Sequence, residues 1–161
     1  MLNNLTQSAS VPSLVAQHIE LFICPLCSAG FAIESESGHL KCSGCGRVFE
    51  CIDGIPRMFW SNEWDRSKTD ITDAMKSFYE ETPFPNYEDV DSSASLREKA
   101  EKGVFARLLN NQMPYGAKIL EVGCGTGQLS NFLGLTWGRT VFGADMCLNS
   151  LKLGHGFKEK N

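Results

Sequence analysis

Two short apolar runs, Lys118 to Val122 and Thr140 to Ala144, are each followed by residues at helical hydrophobic spacing. An apolar run of this length that stops at turn residues reads as a buried strand, so the chain is expected to run β-α-β-α from Lys118 onward. The first helix covers about Gly127 to Leu135 and buries Leu129, Phe132 and Leu133. In the second, Leu148 and Leu151 face the sheet, ahead of Gly154, Gly156 and a charged tail, Lys158-Glu-Lys-Asn. Upstream, Leu96, Ala100, Val104 and Leu108 recur at strict i, i+4 spacing. That stripe predicts one helix from a Ser95 cap to about Gln112, ended by Pro114 and Gly116. Ile71, Met75, Phe78 and Tyr79 predict a further helix over 70–81, capped by Thr69 or Asp70. Two prolines in Thr82-Pro-Phe-Pro-Asn-Tyr then break it, because proline disfavours α geometry at itself and at the residue before it. Phe84 and Tyr87 on this stiff segment either cover a ligand or pin the loop to the core. Nearer the N-terminus, Phe49 to Phe59 reads as a closing strand, with a turn at Asp53-Gly54 and Pro56 ending the pairing.

The stretch between the two C-terminal strands carries the clearest chemistry. The first strand ends in Glu121 and then in three glycines at alternate positions, Gly123, Gly125 and Gly127. Glycine there lets the backbone take positive φ and lets a ligand approach the main chain with no Cβ in the way. The second strand ends in Asp145, where a doubly wound α/β fold places a carboxylate to grip ribose hydroxyls. Together these mark a nucleoside-cofactor site; the alternative is a tight strand-to-helix turn with no ligand. A dinucleotide fingerprint would place glycine or alanine at position 128, which is Gln128 here. The wording acid-x-G-x-G-x-G, in Leu-Glu-Val-Gly-Cys-Gly-Thr-Gly, closely resembles the first motif of class I S-adenosylmethionine-dependent methyltransferases. That resemblance implies S-adenosylmethionine as cofactor, its methionine part on Gly123, Cys124, Gly125 and Gly127. Glu121 would sit near the donor's ammonium group, and Asp145, with Met146 beside it, would accept the ribose hydroxyls. The charge agrees, since this donor carries a sulfonium and an ammonium but no pyrophosphate, and a nearby acid attracts it. Cys124 reads as a small residue fitted between glycines rather than a nucleophile, because no adjacent His or Lys depresses its pKa. Cys147 begins the next helix and is expected to be buried.

Four of the seven cysteines form two pairs, Cys24-Pro-Leu-Cys27 and Cys42-Ser-Gly-Cys45, with fourteen residues between them. Two C-x-x-C knuckles at this spacing supply four thiolates for a tetrahedral zinc, the pattern of a zinc ribbon. Small residues for tight turns accompany each: Ser28 and Gly30 after the first, Gly44 and Gly46 within and after the second. Four thiolates close the shell, so the site has no place for a catalytic water and is structural or recognitive. Buried or redox-active thiols are the alternative. His39, in the ribbon's hairpin, is a spare ligand at most; His18 and His155 have no partners at ligand spacing. The stretch from Phe49 also resembles small zinc-ribbon modules whose last strand reads roughly DGIPxL. These occur as methyltransferase activators and as N-terminal extensions of bacterial methyltransferases.

Composition adds limits. No apolar run is long enough to span a membrane, and Met1 to Ser10 lacks the charged-then-apolar design of a secretion signal, so a cytoplasmic location is expected. The net charge of −4 argues against a strong non-specific nucleic-acid binder. Acidity concentrates in residues 61–114, with seven basic and eleven acidic side chains, as in a solvated connector. The expected organisation is a flexible 1–20, a zinc ribbon over 21–60, a connector over 61–94, and the start of an α/β, Rossmann-like methyltransferase fold over 95–161. The family's fold has seven strands and the sequence supplies two, so the chain is expected to be an incomplete catalytic domain, inactive by itself. The methyl acceptor is open: small molecule, RNA or protein. Two rivals remain, a ribbon acting as a binding module for RNA or a partner protein, and a nicotinamide-dependent oxidoreductase.

Overall fold

The computed structural model describes residues 13–60 and 77–161. The chain divides into two units, Met1–Asp65 and Arg66–Asn161, and the whole is mixed α/β with small antiparallel sheets in the first unit. After a short helix α1 (Ser13–Gln17), that unit forms an antiparallel sheet of β1 (Phe31–Ile33), β2 (Leu40–Cys42) and β3 (Val48–Phe49). Register pairs Phe31 with Cys42 and Leu40 with Phe49. A separate hairpin joins β4 (Cys51–Ile52) to β5 (Ile55–Pro56), with Cys51 opposite Pro56 as its last pair. Asp53 and Gly54 both have positive φ, 49° and 78°, as a two-residue turn that follows the strand twist requires. Strands of two or three residues hold little on their own. Here they close over Leu40, Phe49, Cys24, Cys42 and Cys51, with Phe31 edge-on to Phe49.

The second unit places β6 (Lys118–Val122) parallel to β7 (Thr140–Ala144), Ile119 opposite Val141 and Glu121 opposite Gly143. Helix α4 (Gln128–Gly134) makes the crossover that parallel pairing needs. The core consists of Val90, Leu96, Phe132, Leu133 and Phe157, with Ile119, Leu129 and Val141 packed against it.

Three helical expectations change. The stretch expected as one helix over 95–112 is two helices, α2 (Ser93–Lys102) and α3 (Val104–Gln112), interrupted at Gly103, whose ψ of 120° is extended. The N-cap is Ser92 rather than Ser95; Ser95 is the N3 residue that completes a capping box with it. The break rotates α3, so Val104 and Leu108 are exposed while Ala106 and Leu109 pack on the core. The last helix, α5 (Leu148–Lys160), runs straight through Gly154 and Gly156. Gly154 is required by close packing: a Cβ there would lie 2.2 Å from the carbonyl oxygen of Thr126. The buried face of α5 is therefore Ser150, Gly154 and Phe157, and Leu148 and Leu151 are only half-buried. Of the helix expected over 70–81, residues 77–81 are helical; Thr69, Asp70, Ile71 and Met75 lie outside the described residues.

Candidate functional site

The thiol cluster is shaped by two matching knuckles. In the first, the Ser28 amide donates to Cys24 O and the Cys24 amide to Ala29 O; in the second, Gly46 donates to Cys42 O and Cys42 to Arg47 O. Ser28 and Gly46 occupy equivalent left-handed positions, φ 60° and 71°. Gly44 has no room for a Cβ, which would stand 2.7 Å from that of Ala29 and 3.2 Å from Cys27 Sγ. The outcome is four sulfurs, of Cys24, Cys27, Cys42 and Cys45, all within 4.8 Å of one another. Cys24 and Cys45 are 3.8 Å apart, Cys27 and Cys42 3.4 Å. Thiolates held about 2.3 Å from one tetrahedral zinc stand ~3.8 Å apart, so the set fits a metal ion with little movement. The amides of Cys45 and Gly44 point at Cys42 Sγ, each at 3.4 Å. Led by the Cys45 amide, they hold that thiol down to about 6. The Arg47 amide also draws Cys45 down, but burial and the neighbouring thiols outweigh it and raise Cys45 to about 11. With Cys42 ionised, Cys45 beside it is harder to ionise, a repulsion that a cation among the sulfurs would relieve. His39 is not a ligand here; its Nδ1 accepts from the Cys51 amide at 3.2 Å.

The glycine loop bears out its conformational demand: Gly123, Gly125 and Gly127 have φ of 72°, 55° and 71°, and Gly127 is the N-cap of α4. Around it the structure gathers the proline segment that carries Phe84 and Tyr87, with partners on Pro85 and Asn86 that sequence reasoning missed. Pro85 O accepts from the Thr126 hydroxyl, Asn86 O from Gln128 Nε2 at 2.6 Å, and the Tyr87 hydroxyl donates to Thr126 O at 3.0 Å. A Cβ on Gly125 would sit 2.7 Å from Phe84 O. The segment from Phe84 to Tyr87 is thereby strapped across the loop. Tyr87 pins it, stacked on Phe157 at 4.6 Å and also accepting from Asn131, while the ring of Phe84 is exposed. These partners are about forty residues apart in sequence, so no local pattern could have shown the pairing; the two prolines and the aromatics Phe84 and Tyr87 were the signal of a fixed, pinned segment.

Asp145 points at the loop. One carboxylate oxygen accepts from the Gly125 amide at 2.8 Å and the other from the Cys147 amide at 2.9 Å. A carboxylate has about four acceptor positions, so it braces the loop and keeps capacity for further donors. Glu121 accepts from the Ser130 hydroxyl. Cys124 is buried and its thiol is pushed up to about 12, first by burial and then by the charges of Glu121 and Asp145, which leaves a neutral side chain and no nucleophile. Cys147 is fully buried, as expected, and N-caps α5 with its sulfur. Glu80, also unforeseen, accepts from the Leu148 and Asn149 amides at the start of α5.

A cleft of about 390 Å³ opens beside the loop. Glu121, Gly123, Cys124 and Gly125 form one wall, and Phe84, Lys99 and Phe105 stand among the others. Gly127, Asp145 and Met146 do not line it; Met146 is exposed beyond the end of β7. The sequence matches no protein-family model and no curated protein. Among the described residues, no helix is long and apolar enough to cross a membrane.

Proposed function

We propose that this chain carries the donor-binding end of a class I S-adenosylmethionine-dependent methyltransferase with a Rossmann-like catalytic fold, preceded by a structural zinc ribbon. The observation that carries the reading is the loop itself. Three left-handed glycines join a parallel strand to a helix, between the carboxylates Glu121 and Asp145, and Asp145 is bonded to the loop. The methionine part of the donor would lie on Gly123, Cys124, Gly125 and Gly127, with Glu121 near its ammonium. Asp145 would accept the ribose hydroxyls, and Met146 would lie against the nucleoside. When bound, the donor would supply an electrophilic methyl group for in-line transfer to an acceptor's lone pair, its sulfonium becoming a neutral thioether and the acceptor's proton passing to water. Alignment of the two reactants supplies most of such a rate, and no covalent enzyme intermediate is required. The nicotinamide reading is weaker, because Gln128 occupies the third glycine position and is tied to Asn86.

The test is a titration of ¹⁵N-labelled chain, followed by amide shifts, with S-adenosylmethionine and separately with NADH. S-adenosylmethionine should move Gly123, Gly125, Gly127 and Met146, and NADH should not. Asp145→Ala should weaken donor binding by about 1.5–3 kcal/mol per lost hydrogen bond, while Asp145→Asn, which can still accept from Gly125 although its NH2 then faces the Cys147 amide, should keep the loop folded. Loop amides that ignore S-adenosylmethionine, or respond to NADH instead, would sink the reading.

A further inference from the structure

We infer that Lys99 anchors the carboxylate of the donor's methionine part, so that the site reads the donor's amino-acid end as a whole zwitterion. The inference rests on the donor reading above and adds to it a binding residue from α2, outside the glycine motif. The cleft of about 390 Å³ beside the loop has Glu121, Gly123, Cys124 and Gly125 as one wall, the residues given above to the methionine part. Another wall comes from α2, where Leu96, Lys99 and Ala100 lie at i, i+3, i+4 spacing on one helix face. Leu96 is buried and Ala100 packs on the core, which fixes the face that α2 turns to the cleft. Lys99 stands at the margin of that face, exposed, where its stem can lie along the wall and its ammonium reach the opening.

A carboxylate in this cleft needs donors, and the loop has few left. The amides of Gly123 and Cys124 both donate to Ala144 O, at 2.8 and 3.1 Å, and that of Gly127 donates to Cys124 O at 2.9 Å. The Gly125 amide is held by Asp145 at 2.8 Å. Two side chains in the walls carry N–H donors, Gln128 and Lys99, and Gln128 already donates to Asn86 O at 2.6 Å. Lys99 has no ion pair among the described residues, whereas Lys102, three residues on, is engaged by Glu98 at 2.7 Å. Charge gives the same assignment. Glu121 is the one acid in the walls and Lys99 the one base. With the donor's ammonium on Glu121, the carboxylate attached to the same carbon is repelled by Glu121 unless a cation faces it. Lys99 also lies in the last turn of α2, where any cation complements the helix dipole. That role is indifferent to the ligand, so a pair of ligands separates the two.

The experiment titrates the full ¹⁵N-labelled chain with S-adenosylmethionine and with its decarboxylated analogue, which keeps the sulfonium and the ammonium but lacks the carboxylate. The unchanged chain should bind S-adenosylmethionine about tenfold more tightly than the analogue, as a charge-assisted contact implies. Lys99→Met, which keeps an unbranched stem and a good helix former, should remove that preference. S-adenosylmethionine should then lose about tenfold in affinity and the analogue nothing, so the analogue's undiminished binding is itself the control for folding. Lys99→Arg should keep the preference. Equal affinity for the two ligands in the unchanged chain, or a Lys99→Met variant that loses both alike or neither, would overturn the inference alone and leave the donor reading standing. Loop amides that respond to neither ligand would remove the donor reading, and the inference with it.

Discussion

Cys124 lies in the middle of the glycine loop, 7% exposed, facing two carboxylates that it does not bond. Its folded thiol ionises near 12 against an ordinary 9. A thiol harder to ionise in the folded state contributes stability that is complete below pH 9 and lost as pH rises towards 12. Urea unfolding, followed through the helical signal, should show about 1 kcal/mol lost between pH 9 and 10. Cys124→Ser should remove most of that slope. Tyr87, whose phenol burial also raises, acts with the same sign only above pH 10, so the comparison stays below it. The native protein should also resist iodoacetamide at Cys124 at pH 8, while urea-unfolded protein reacts; rapid labelling of the native loop would show a reactive thiolate and contradict the burial argument.

The helices show where local pattern is a good guide and where it fails. Strands β6 and β7 were legible to the residue, because an apolar run between turn formers has few other solutions. The break at Gly103 was not, since one glycine costs an exposed helix only about 1 kcal/mol and the i, i+4 stripe ran across it unbroken. Gly154 looked like a terminator but is a contact glycine, and only the neighbouring carbonyl of Thr126 reveals the difference. The candidate sites divide likewise. The thiols and the loop glycines are local motifs, whereas the strap and the cleft walls come from tertiary packing. Arg139 was missed for the same reason. It is 7% exposed and donates to Asn110 Oδ1, Asn110 O, Met113 O and Pro114 O, at and just beyond the C-terminus of α3. A guanidinium there satisfies the last carbonyls and complements the helix dipole. Arg139→Ala should cost about 3 kcal/mol, and Arg139→Lys should recover only part, because an ammonium cannot reproduce the fork. A loss under about 0.5 kcal/mol in urea unfolding would show the cap to be idle.

Among its described residues the molecule has two hydrophobic cores with no residue in common, one around Leu40 and Phe49 and one around Phe132 and Leu133. They differ in what sustains them. The second is built on helices, a parallel strand pair and five buried apolar side chains. In the first, two of the five buried residues, Cys24 and Cys42, belong to the thiol cluster, and the strands are two or three residues long. So small a core does not offset the chain entropy of ordering about fifty residues, and bound metal supplies of the order of 10 kcal/mol in comparable sites. Protein prepared without oxygen should therefore contain about one zinc per chain. Removing it with a chelator should collapse the amide dispersion of Leu40, Val48 and Phe49 while leaving Phe132 and Phe157 unchanged. Cys24→Ser with Cys42→Ser should give the same partial spectrum without chelator, and added zinc should restore only the unmodified chain. Metal-free protein that keeps the Leu40 and Phe49 signals would show that the first core stands without the ion, and the cluster would then be two buried and two exposed thiols rather than a metal centre.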